Sequence, residues 1–96
     1  MGVAIENLWK TQWILRAGRE AGELVAEIGE ARRHDENSDV WFCPVRIVSV
    51  FQAEKQIAGV DAEHALDLSF QFVKTVFQNN GADIDGIVIK PVNEDH

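Results

Sequence analysis

The sequence predicts an α+β domain: an antiparallel meander of four to five strands with one amphipathic helix packed on one face, in the order β-β-β-β-α, with a last β as the candidate fifth strand. Three features of the 96 residues lead there. Apolar residues recur at helical spacing after Asp61, they alternate between glycines in the first third of the chain, and a β-branched, aromatic run extends from Asp39 to Phe51. The length and a hydrophobic share of 46% suit one domain over 1–96. Only ARRHDENSD, Ala31 to Asp39, lacks apolar periodicity; it is too short to link domains and reads as a surface loop.

Two readings compete for the N-terminal segment. Trp9, Trp13, Ala17, Ala21, Leu24 and Ile28 fit one side of a long helix, but Gly18, Gly22 and Gly29 would each cost about 1 kcal/mol inside it relative to alanine. As strands, WKTQWIL alternates with Trp9, Thr11, Trp13 and Leu15 on one face, AGREAG turns, and ELVAEIGEAR places Leu24, Ala26 and Ile28 inward. DVWFCPVRIVSVF is a third strand, too short and β-branched for a helix. Pro44 inside it has no N–H to give a ladder, which puts that position at an edge or a bulge. EKQIAGV follows as a fourth strand after a turn near Gln52 to Lys55, and DGIVIK, ended by Pro91, is the candidate fifth.

The helix is the clearest element. Asp61 is placed to cap it and Glu63 to meet the positive end of its dipole. Ala62, Ala65, Leu66, Ser69, Phe70, Phe72, Val73, Val76 and Phe77 share a broad face opposite Glu63, His64, Asp67, Gln71, Lys74 and Gln78, with Leu68 the one misfit. Asn79-Asn80-Gly81 supplies residues that tolerate a left-handed helix end. Gly59 just before the cap implies a tight backbone approach or a positive φ.

Sixteen acids against nine bases give a net charge of −7, and the bases are scattered apart from Arg32 and Arg33, so nucleic acid is not an expected partner. No apolar run approaches the roughly 20 residues of a membrane span. The start MGVAIENLWK is unlike a signal peptide, and one cysteine forms no internal disulfide, which together point to a reducing, cytoplasmic compartment. Without a P-loop, a dinucleotide fingerprint or a serine elbow, no cofactor is expected.

AEIGEARR, VWFCPVRI and IAGVDAEHALDLSFQFV, in that order, resemble a family of small uncharacterised bacterial domains with the pattern I-G-x-P-R, W-x-C-P-x-x-I and G-x-D-x-x-x-A-L before a helix. The match runs from Glu27 to Val73 and departs at Ala31, where the pattern has proline. The resemblance implies an α+β fold and a bacterial source; the family carries no assigned activity.

Five residues are candidates for chemistry: Asp61 and His64, with Asp67 one turn further on, and Cys43 with Arg46 as an anion-binding neighbour. Blander roles outweigh these. Asp61 and His64 fall at a helix cap and on a solvent face, while Cys43 and Arg46 point to opposite faces of a strand and an unpaired cysteine is usually a small buried hydrophobe. His34 and His96 lie in a loop and at the terminus, Asp35, Glu36 and Asp39 lack the glycine and final glutamate of a calcium loop, and Asp83, Asp85, Glu94 and Asp95 form an acidic, solubilising tail. No metal is expected.

Surface properties say more. Trp9, Trp13 and Trp41 exceed what one helix-covered sheet face easily buries. In the third strand Val40, Phe42 and Val48 alternate with Trp41, Cys43 and Ile47, so whichever set faces the helix, the other leaves apolar area outward as a candidate interface. The expected function is therefore a non-enzymatic protein-interaction module that forms a homodimer or binds one protein partner. One form of it is an immunity or antitoxin-like protein whose acidic surface masks a basic toxin. The alternative is a small-molecule-binding or hydrolytic enzyme using Asp61, His64 or Cys43.

Overall fold

The computed structural model describes residues 10–20, 22–33, 35–37, 39–47, 50 and 53–92. Trp9, Val48, His34 and His96 lie outside them. Strand β1, Thr11–Arg19, pairs antiparallel with β2, Gly22–Gly29. The turn is tighter than AGREAG suggests. Ala17 continues the inward row of Leu15 opposite Leu24, and its burial keeps the chain in the ladder through Arg19. Alternation also breaks once: a bulge between Thr11 and Trp13 puts Thr11 beside Glu27, whose carboxylate accepts its hydroxyl at 3.4 Å, rather than in the row of Trp13 and Leu15.

Arg32 and Arg33, expected in a loop, form β3, Arg32–Arg33, against Phe42 and Trp41 of β4, Trp41–Arg46. The same edge of β4 pairs with the end of β2 through Glu27–Arg46 and Ile28–Val45. Between these ladders Gly29, Glu30 and Ala31 stand against only Cys43 and Pro44, which is a bulge with one extra residue. Pro44 therefore sits where the ladder is interrupted, as a residue without an N–H requires. On its other side β4 pairs along its length with β5, Lys55–Gly59.

Helix α1, Ala62–Asn79, buries Ala65, Ser69, Val73 and Phe77 and exposes the six polar residues assigned to its far side; Leu68 is half-buried. Val73 and Phe77 are each worth about 1.5–3 kcal/mol of apolar burial. The helix lies mainly over β4 and β5, and its inward face meets Leu15, Leu24, Ala26, Ile28, Cys43, Val45 and Ile47 in the core. Its C-terminus is a Schellman turn. Gly81, at φ 83°, gives its N–H to Gln78 O and Ala82 gives its N–H to Phe77 O. Arg19 Nη1 donates to Asn80 O at 3.1 Å, a cation at the negative end of the helix that the sequence pattern did not reveal.

After α1, a single 3-10 turn, Ile84–Gly86, occupies the start of the expected fifth strand, and β6, Val88–Pro91, follows. It pairs antiparallel with β1 rather than with its sequence neighbour β5. Across the sheet the order is thus β5, β4, then β2 with β3, β1 and β6. The fold is α+β: a six-stranded antiparallel sheet, a meander up to β5, with one helix against it.

Candidate functional site

Where β5 runs into α1, the residues that suggested chemistry hold the junction together. Asp61 Oδ1 accepts the His64 backbone N–H at 2.7 Å, and His64 Nδ1 accepts the Val60 N–H at 3.0 Å. This is a variant of the capping box, with histidine where glutamate is usual and its ring reaching the N–H one residue before the cap. Since Nδ1 is the acceptor, the neutral ring carries its proton on Nε2. Asp61, Glu63, His64 and Asp67 line a shallow depression, all four exposed, and Asp67 accepts Gln71 Nε2 at 2.9 Å. Gly59 lies directly under the helix. A Cβ there would meet Ala65 N and come within 2.7 Å of Ala65 Cα, so close approach rather than positive φ explains the glycine.

Cys43 is fully buried, and its thiol donates to Gly29 O at 3.2 Å. Burial pushes the thiol above its ordinary value of 9.0, with the Ser69 hydroxyl acting in the opposite sense. A buried thiol held in its protonated form is a poor nucleophile. Arg46 is on the other face, 3.6 Å from Glu27, so the structure does not bring Cys43 and Arg46 together. Asp35 closes a turn by accepting the Asn37 N–H at 2.8 Å. Among the described residues no three His, Cys, Asp or Glu side chains gather as a metal site, and no helix is long and apolar enough to cross a membrane.

The sheet face away from α1 is more polar than the alternation in β4 suggests. Arg16 pairs with Glu23 at 3.2 Å, and Glu27 takes both Arg46 and Thr11. Of the candidate interface residues Val40 is 41% exposed, Phe42 is half-buried and Val48 is undescribed. Apolar exposure outward lies on β6, where Val88 opposite Arg16 is 48% exposed, and at one corner of β4 and β5. There Phe42 pairs with Ala58, and Val40 and Val60, the latter 71% exposed, flank the next pair, Trp41–Gly59.

An apolar-walled groove lies elsewhere. The bulge in β1 and the bulge between β2 and β3 open a groove of about 440 Å³ beside the first turns of α1. Trp13, Trp41, Ala31, Ala62 and Leu66 supply its apolar lining, and Gln12, Gly29, Glu30 and Glu63 the rest. Both indoles are half-buried and braced. Trp13 meets Phe70 edge-on, with centroids 5.5 Å apart at 74°, and the Arg33 guanidinium lies 5.9 Å from the Trp41 ring centroid. The surplus of tryptophan was legible in the sequence. The groove was not, because its residues come from four separated stretches and meet only where the ladders slip; Pro44, marked as an edge or bulge position, was the one pointer to that slip.

Comparison with protein-family models, with curated proteins and with solved structures gives no match to this chain.

Proposed function

We propose that the protein is a non-enzymatic interaction module that holds one protein partner in the groove between Trp13 and Trp41. The observation that carries this reading is the pair of braced, half-buried indoles in an open groove. Tryptophan in such a setting is the residue type that most often dominates binding energy, and bracing removes part of the entropy cost of association. Asp61, His64 and Cys43 already serve as cap, cap and core, which weighs against the enzymatic alternative. Membership of the small bacterial domain family belongs to the same proposal. Ala31 lies in the bulge outside the ladders to β4, where the proline of that pattern costs no sheet hydrogen bond to that strand.

The test is affinity capture with the wild type and with Ala31→Trp, which fills the groove from a position with no unusual backbone angle. A protein retained by the first and lost with the second, at unchanged melting temperature, is the expected result; identical retention by both refutes the groove. A second reading, self-association, rests on the apolar corner at Val40, Phe42, Ala58 and Val60. Sedimentation of the wild type and of Val60→Glu across concentrations separates it from the first.

A further inference from the structure

Building on the reading that the groove seats a protein partner, we infer that the part it takes is a basic segment: a lysine or arginine side chain lying between Trp13 and Trp41 with its charge at Glu30 and Glu63. Charge is the first reason. Among the described residues Glu30 and Glu63 are exposed, have no ion-pair partner, and share the groove with no lysine, arginine or histidine. Glu63 also belongs to the adjoining depression with Asp61 and Asp67, so the negative surface continues along the first turns of α1. The helix dipole contributes roughly half a positive charge there, less than the carboxylates supply.

Shape is the second reason. The lining joins two indoles and the aliphatic Ala31, Ala62 and Leu66 to carboxylates, and a long side chain with an apolar stem and a cationic head matches both parts. An uncharged apolar segment would bury the same walls while taking water from two carboxylates without replacing it. An acidic segment would add repulsion. The chain already makes one such contact within itself, Arg33 over Trp41, and Arg33 is outside the groove lining.

The experiment titrates the full chain with two short peptides, one alternating leucine with lysine and the other leucine with glutamate, and follows the indole N–H resonances. The expected result is binding of the lysine peptide alone, with the Trp13 and Trp41 signals moving. That binding weakens with added salt and falls about tenfold in the double variant Glu30→Gln with Glu63→Gln. Both positions are exposed, so the double variant keeps its fold, checked by its melting curve. Equal binding of both peptides, insensitive to the double variant but lost in Ala31→Trp, overturns the basic-segment inference and leaves the groove reading intact. Absence of any indole shift with either peptide at millimolar concentration overturns both. Concentration-dependent dimerisation abolished by Ala31→Trp overturns the inference by naming a second copy as the occupant.

Discussion

The start of α1 has two sides, and they are built in opposite ways. Toward β5 everything is closed: Gly59 brings strand and helix backbones together, Asp61 accepts the His64 N–H, and His64 Nδ1 accepts the Val60 N–H across the junction. Toward β1 and the β2–β3 bulge the ladders slip and leave a groove that two tryptophans only partly fill. The closed side carries the compact run of ionisable residues, and the open side carries residues scattered from Gln12 to Leu66. A dense cluster of polar residues in sequence can thus be scaffold, while a binding surface is assembled from positions that no short motif contains.

Substitutions that add bulk test this contrast most severely. Gly59→Ala drives a methyl group into the Ala65 backbone, which has no rotamer to escape into, and should destabilise the fold by about 3 kcal/mol. Ala31→Trp adds far more volume on the open side and should change stability by no more than about 0.5 kcal/mol. Denaturant melts of the two variants give both values, and equal costs would erase the distinction between the sides.

Removing the cap is a smaller break. Asp61→Ala should cost about 1 kcal/mol, and Asp61→Asn only a few tenths, because asparagine accepts the same hydrogen bond from His64 N–H. If asparagine is as damaging as alanine, the carboxylate charge itself matters and a chemical role for the pair with His64 revives.

Cys43 touches both regions, lying under Ser69 of α1 and bonding Gly29 in the bulge, and its effect is the smallest. The folded protein holds the thiol proton more tightly than the unfolded chain does. Above the ordinary value of 9.0 the unfolded state therefore releases a proton that the folded state keeps, and stability falls as pH rises through that window. Cys43→Ala should remove this component, seen as a shallower loss of stability above pH 9.0 than in the wild type. Thiol labelling gives the companion reading: slow in the native state and fast after unfolding. Rapid labelling of the native protein would place the thiol at the surface and undo the account of the bulge.

Legibility followed the range of the interactions. The helix, its Asp61 cap, its polar face and the left-handed Gly81 were all readable, because each is decided within a turn or two of chain. The hairpin of β1 and β2 was readable apart from its limits, which Ala17 extends by fitting the core. β3 was not, since two arginines in a polar run carry no strand signal and pair only because β4 is already there. The outward row of β4 misled in a related way. Alternation locates Phe42 on the outer face, but the ion pairs that make much of that face polar come from β1, β2 and the end of β4. The groove needed two register slips that no local pattern encodes.

The placement of β6 beside β1 sets a condition on how the protein can fold. β1, β2, β4 and β5 can zip in succession through neighbouring hairpins, whereas Leu15 must wait for Ile89 and Gln12 O for the Val92 N–H. Between them lies the whole helix, so the last ladder forms by closing the longest loop in the domain and adds its non-local contacts late. Until it does, the far edge of β1 is an unpaired template beside Trp13. The interval before closure, more than the finished sheet, is when the chain is open to pairing with a neighbour, and a substitution that weakens β6 would show first as lost yield at high concentration rather than as a lower melting temperature.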